Sequence, residues 1–290
     1  MRVRLFALLS AAALFVLAAV PASASNEGTS YLALGDSVPF GFNPNPELWS
    51  NAANFTGYPE IVAQRLNIED VNATCPGEAT GGFISLTGTD NVCRAYRFFL
   101  HEPLHVSYSG TQLAFATGYL MTHPTTRLVT LTLGANDFFR FQKDCMAGPT
   151  VGTCPLGIPG VLATMQANLN TIFGALRATG YTGLIVALTY YSLDYHDTSG
   201  AMLLNGPMIA AAAAHDVLVA DGLGAWTATA AGGSSCTAGL LLPAFPPGTP
   251  GCDVHPTPLG RDLLAGAVVS TIAASCPAEN AIGCLDRSLS

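Results

Sequence analysis

Short apolar and β-branched runs alternate five times with longer stretches of helical periodicity between residues 31 and 274, which limits the possible folds more than any other feature. The runs at 31–34, 68–72, 128–133, 184–190 and 217–220 read as strands, with 68–72 the weakest. Near-continuous apolar character marks a strand buried on both faces rather than one with a wet side. Helical patterns occupy 59–66, 111–121, 159–179, 206–215 and 258–274. Pro59 opens the first of these and Gly180 closes the third, the ends at which those residues are favoured. Strands separated by helices run parallel through right-handed crossovers. The expected fold class is therefore α/β, a three-layer α/β/α sandwich around a five-stranded parallel sheet. With no linker-like tract and no internal repeat, the chain reads as one domain, with long irregular inserts at 38–57, 74–107, 141–158 and 232–256.

The start of the chain stands apart. Arg2 and Arg4 precede an apolar run at 5–20, and Pro21-Ala22-Ser23-Ala24 follows it. A basic start, an apolar middle and a small-x-small site read as a secretory signal peptide, residues 1–24, cleaved after Ala24 to leave a domain at 25–290. The run is shorter than the roughly 20 residues that span a bilayer, so no stable membrane insertion is expected after cleavage. The formal net charge of −8, with Lys143 the single lysine, argues against a nucleic-acid partner, which requires a clustered basic surface. The expected location is extracellular, and the expected state a monomer.

Eight cysteines lie beyond residue 24: Cys75, Cys93, Cys145, Cys154, Cys236, Cys252, Cys276 and Cys284. No C-x-x-C pair occurs, which argues against a thiolate metal site, and an even count in an exported chain favours disulfides. Neighbouring cysteines fall together in loop-like segments, giving the expected pairs 75–93, 145–154, 236–252 and 276–284. Neither a metal nor another cofactor is expected.

Ligands of an open parallel sheet bind beyond the carboxyl ends of its strands. There the sequence places Gly35-Asp36-Ser37 after the first strand, Asn72 to Gly77 after the second, and Gly134-Ala135-Asn136-Asp137 after the third. Asp253-Val254-His255-Pro256 precedes the last helix. A serine becomes a nucleophile when a base takes its proton and donors stabilise the resulting oxyanion. Ser37 is the candidate nucleophile and His255 the candidate base. The backbone N–H groups of Ser37 and Gly77 and the Asn136 amide are candidate oxyanion donors. Singly, each of these is more often a turn, a cap or a helix-entry residue; their joint occurrence in this order carries the reading.

These blocks resemble those of the SGNH hydrolases, also called GDSL esterases and lipases, over roughly residues 31–275. Gly57-Tyr58-Pro59 and Cys75-Pro76-Gly77-Glu78 resemble a secreted bacterial branch of that family. The resemblance implies the flavodoxin-like SGNH hydrolase fold and an acyl-Ser37 intermediate, with His255 as base and acid. It also implies an oxyanion hole of Ser37, Gly77 and Asn136, with Asp36 and Asp137 fixing turns. Val38 replaces the leucine of the family name. The acid commonly three residues before the histidine is replaced by Cys252, so two arrangements stay open: Asp253 orients the imidazole, or a backbone carbonyl near Cys252 does so and leaves a Ser-His dyad. Tyr190, Tyr191 and Phe138, with Phe139 and Phe141, are candidate pocket walls, with packing as the ordinary alternative. His101, His105, His123, His196 and His215 read as loop or cap residues.

The expected activity is hydrolysis of carboxylic esters, lipid or other acyl esters, as small-molecule or lipid substrates. An acyltransferase or a carbohydrate O-acetyl esterase would use the same residues, and a non-catalytic secreted binding module is the remote alternative, because fold alone does not dictate function.

Overall fold

The computed structural model describes residues 28–148, 151–276 and 281–287. The expected signal peptide lies outside them. The first half runs β1 (Ser30–Gly35), α1 (Ser37–Phe40), α2 (Tyr58–Leu66), β2 (Glu69–Asn72), α3 (Thr80–Ile84), α4 (Gln112–Thr122), β3 (Thr126–Thr132) and α5 (Ala135–Ala147). The second half continues with α6 (Cys154–Ala178), β4 (Leu184–Leu188), α7 (Ser199–Ala213), β5 (Leu218–Ala220), α8 (Gly222–Ala230), β6 (Leu241–Pro243), β7 (Cys252–Pro256), α9 (Pro258–Ser275) and α10 (Ala281–Arg287). Five parallel strands form one sheet in the order β2-β1-β3-β4-β5. β6 and β7 make a separate antiparallel pair.

The two-residue period of the strands divides the core into two layers. Tyr31, Ala33, Leu128, Val186 and Leu188 point to one face, where Val62 and Leu66 of α2, Trp226 of α8, and Leu264 and Val268 of α9 cover them. Leu32, Leu34, Val129, Leu131 and Ile185 point to the other, against Ala116 of α4, Leu169 and Phe173 of α6, and Met208 of α7. All six residues of β1 are buried, as a strand between two neighbours and two helical layers must be.

Helices were less legible than strands. The insert expected at 141–158 is largely helical where it is described: α5 runs into it to Ala147, and α6 begins at Cys154 with Pro159 inside the helix. α7 starts at Ser199 rather than near 206, running through Gly200, Gly206 and Pro207. α8 had no counterpart in the sequence reading; Asp221 caps it by accepting from Gly224 N–H at 2.8 Å. The 232–256 insert contains the β6–β7 pair, and the 74–107 insert contains α3.

Disulfides join Cys75–Cys93, Cys145–Cys154, Cys236–Cys252 and Cys276–Cys284, the expected neighbouring pairs. Each closes a short loop and removes freedom from the unfolded chain, a contribution of roughly 2–4 kcal/mol. Among the described residues no helix is long and apolar enough to cross a membrane.

Candidate active site

The turn that carries Ser37, the candidate nucleophile, follows directly from strand pairing. Gly35 ends β1 opposite Thr132 of β3, and a Cβ there would lie 2.0 Å from Thr132 O, so the close approach requires glycine. Asp36 N–H donates to Thr132 O at 3.1 Å. The Asp36 carboxylate caps α1 through Val38 N–H at 2.9 Å, and Ser37 opens that helix, where a backbone N–H has no intrahelical acceptor. Gln112, fully buried on α4, locks the turn from behind. Its Oε1 accepts from Gly35 N–H at 2.6 Å and its Nε2 donates to Gly35 O at 3.0 Å.

His255 arrives from β7, outside the main sheet. Its Nε2 lies 2.8 Å from Ser37 Oγ, and its Nδ1 is hydrogen-bonded to Asp253 Oδ1. The same carboxylate oxygen accepts the His255 backbone N–H at 3.0 Å. Of the two arrangements left open by the sequence, the geometry puts the Asp253 side chain on the imidazole. Burial opposes ionisation of Asp253, yet its hydrogen bond and charge attraction to His255, with the His255 and Val254 backbone N–H groups, outweigh it. Its carboxyl is held below the usual range. The Phe42 ring packs 5.0 Å from the imidazole.

The three oxyanion candidates, Ser37, Gly77 and Asn136, line one pocket with His255. Gly77 adopts a left-handed φ of 79°, and Val92 occupies the space a Cβ would need. Among the described residues nothing in the protein accepts the N–H of Ser37 or Gly77. Asn136 is buried at the start of α5. Its neighbour Asp137 accepts from Thr80 Oγ1 at 2.6 Å and Thr80 N–H at 2.9 Å, tying the Gly77 loop to the Asn136 helix. Asn72 lies outside the pocket and braces it, donating to Pro39 O at 3.1 Å and Glu60 Oε1 at 2.7 Å.

Asp36 is buried beneath the site. Burial raises its pKa to about 6 against the opposing pull of hydrogen bonds from Tyr190 and Val38 N–H and the charge of His255. Tyr190 Oη donates to Asp36 Oδ2 and accepts from Ala135 N–H at 3.1 Å. Tyr191 Oη donates to Val254 O at 2.6 Å while its ring stacks on Trp226 at 3.8 Å. Both tyrosines, expected as walls, line the pocket and also tether its parts.

The pocket encloses about 620 Å³. Phe42, Trp49 and Tyr96, mutually packed rings, form one group of walls. Phe138 and Phe139 of α5, Leu162 of α6, and Leu203 and Leu204 of α7 form another. Phe141 is not a wall; it packs where a side chain at Gly157 would stand. Leu100, Leu193 and Leu203, at the mouth, are exposed, as are the adjacent Phe98, Phe99 and Met202. Sequence reasoning missed Gln112, Asn91, Phe42 and Trp49. Among the described residues the one grouping of possible metal-ligand atoms is Cys75, Glu78 and Cys93, where the two sulfurs are joined to each other.

Residues 33–263 match the model of the GDSL-like lipase/acylhydrolase family. The chain belongs to that family. As a GDSL-like enzyme it is a carboxylic ester hydrolase. Solved structures share its fold: a phospholipase A1 from Streptomyces albidoflavus NA297 is 20% identical with a TM-score of 0.52, covering 84% of this chain and 99% of that one. An extracellular lipase from Streptomyces rimosus gives the same four values. A catalytic mutant of an acetylxylan esterase from Geobacillus stearothermophilus is 16% identical with a TM-score of 0.52, over 84% of this chain and 94% of that one. No curated protein sequence matches this GDSL-like chain.

Proposed function

We propose that this enzyme is an exported serine esterase or lipase that hydrolyses esters of hydrocarbon-chain acyl groups through an acyl-Ser37 intermediate. The observation that carries the reading is the 2.8 Å contact between Ser37 Oγ and His255 Nε2, opening onto a pocket walled largely by apolar side chains. His255 Nε2 takes the Ser37 proton as Oγ attacks the ester carbonyl carbon. The carbonyl oxygen becomes an oxyanion that accepts from Ser37 N–H, Gly77 N–H and Asn136 Nδ2. As the tetrahedral intermediate collapses, His255 returns its proton to the departing alcohol oxygen. Water, deprotonated by His255, then attacks the acyl-enzyme, and collapse releases the carboxylic acid and regenerates Ser37. Asp253 keeps the proton on Nδ1 and stabilises the imidazolium formed in each half-reaction.

A cavity of about 620 Å³ is the size of a drug-like ligand site and far exceeds what an acetyl group fills. Its walls and exposed apolar rim favour a lipid acyl chain over a carbohydrate acetate. The four disulfides support export, since such bonds persist in oxidising compartments. The test is a panel of nitrophenyl esters and triacylglycerols of graded chain length, with an alcohol acceptor added in parallel, on wild type and Ser37→Ala. The expected result is hydrolysis favouring acyl chains longer than acetyl, abolished in Ser37→Ala. Full activity in that variant rejects the acyl-enzyme; preference for acetyl esters, or transfer to the acceptor outrunning hydrolysis, rejects the substrate or reaction class.

A further inference from the structure

Asn136 can donate to a substrate oxygen only if its amide is turned one way round. The oxygen and nitrogen of a carboxamide have nearly the same shape, so hydrogen-bond partners set the orientation. Here the partners agree. The Asn91 side-chain amide donates to Asn136 Oδ1 at 2.9 Å, and one Asn136 Nδ2 hydrogen faces Asp36 Oδ2 at 3.5 Å. With its oxygen occupied and one hydrogen engaged, Asn136 keeps its second hydrogen for the pocket that both asparagines line. Reversal would set two NH₂ groups against each other and an oxygen against a carboxylate.

The backbone around Asn91 reaches the neighbouring donor. Asn91 and Val92 N–H both donate to Gly77 O at 3.2 Å, and the Cys75–Cys93 disulfide closes the loop that carries both segments. Arg140 Nη1 donates to Asp90 O at 3.0 Å, fixing the chain immediately before Asn91. We infer that Asn91 is a positioning residue of the oxyanion hole, its side chain orienting the Asn136 amide from a segment stapled to Gly77. The inference rests on the proposed acyl transfer at Ser37.

The test is a double-mutant cycle: Asn91→Ala and Asn91→Leu, each alone and combined with Asn136→Ala, assayed on a soluble nitrophenyl ester with thermal melting alongside. Removing an oxyanion donor outright costs roughly 10²–10³-fold in kcat, so losing its orientation is expected to cost about 10-fold, with KM within twofold. Asn91→Leu, which keeps the volume, should lose as much as Asn91→Ala and carries the test if the alanine variant does not fold. In the Asn136→Ala background either substitution should change kcat less than threefold, because the two residues act as one unit. Single variants within twofold of wild-type kcat, recovery by leucine, or the same loss in both backgrounds would overturn the inference. Ser37→Ala hydrolysing at the wild-type rate would instead strike the acyl-enzyme reading, so the two failures are separable.

Discussion

Asp253→Asn keeps the shape of the side chain beside His255 and removes its charge. In the proposed mechanism, transfer of the Ser37 proton turns the imidazole into a cation, so the Asp253 carboxylate attracts the transition state more strongly than the resting enzyme. For unit charges about 4 Å apart the attraction is roughly 1 kcal/mol in water and roughly 4 kcal/mol at an effective dielectric of 20. The two side chains are 12% and 24% exposed, which places the pair toward the less screened limit. A loss of about 3 kcal/mol corresponds to roughly a 100-fold fall in kcat. The asparagine amide can also turn its NH₂ toward Nδ1 and favour the wrong tautomer, which deepens the fall. The assay is steady-state hydrolysis of a soluble nitrophenyl ester, with KM expected within threefold of wild type and His255→Ala as the limiting loss. Retention of more than about a third of wild-type kcat in Asp253→Asn would refute the triad and leave the backbone carbonyl of a Ser-His dyad. Because the folded carboxyl is held below its ordinary range, the pair's contribution to stability is present above the unfolded pKa of about 4 and lost as pH falls through the folded value. The melting difference between wild type and Asp253→Asn should accordingly shrink on acidification from pH 5 to pH 3.

Tyr190→Phe leaves the Ala135 N–H without its buried acceptor and is expected to cost about 1–3 kcal/mol in denaturant unfolding, with a lowered kcat; an unchanged midpoint would contradict the bridging role. Glu78 is almost wholly buried, and burial, reinforced by the charge of Asp90, raises its pKa to about 8 against the pull of Arg97 and Arg94. The folded state then holds a proton that the unfolded state releases above about pH 4.5, so stability falls between there and about pH 8, on the order of 5 kcal/mol in full. Glu78→Gln should flatten that decline in melting curves recorded from pH 5 to pH 9; parallel curves would show that burial does not control this carboxyl. Phe99, 80% exposed and next in sequence to Leu100 of the pocket lining, is expected to serve emulsified substrate: Phe99→Glu should slow triacylglycerol emulsions at least fivefold and leave a soluble short ester within twofold, whereas equal effects on both would rule the rim out.

The strands were legible because parallel strands under two helical layers demand apolar runs, and those at 31–34 and 184–188 sit where burial on both faces is complete or nearly so. α5 was not, because beyond Ala135, Asn136 and Asp137 none of its side chains is fully buried, and its Phe138 and Phe139 line the pocket rather than the core between sheet and helices. α8 is short and opens on Gly222 and Gly224, residues that ordinarily break a helix. Within the candidate site, turn chemistry at strand ends is what singles out Ser37, Gly77 and Asn136 in the sequence, and the structure brings the three to one pocket. Their braces are not singled out in this way: Asn91 meets Asn136 across 45 residues of sequence, Gln112 meets Gly35 across 77, and Tyr190 meets Asp36 across 154. Nothing local marks such partners, since a buried amide or phenol is chosen by the polar group it must satisfy and not by its neighbours in the chain.

Those braces explain how one pocket is assembled from parts that secondary structure alone would leave loosely related. The main sheet places Ser37, Gly77 and Asn136, whereas His255 comes from a two-stranded unit outside it. Oxyanion stabilisation depends on donors fixed before charge develops, and base catalysis on an imidazole within hydrogen-bond reach of the nucleophile. The first condition is met by side chains that cross between strand-end loops, Tyr190 from Asp36 to Ala135 and Asp137 to Thr80. The second is met by links from the hairpin to the sheet and its helical layers. Tyr191 of the β4 exit holds Val254 O, Trp226 of α8 supports that tyrosine from below, and Cys236–Cys252 anchors the strand one residue before Asp253. The tyrosine pair at 190–191 therefore serves both halves at once, one hydroxyl turned to Asp36 and Ala135 beside Ser37 and Asn136, the next to the strand carrying His255. On the proposed mechanism, a change that shifts the end of β4 would misalign acid–base and oxyanion chemistry together, because both hydroxyls leave from that one strand end.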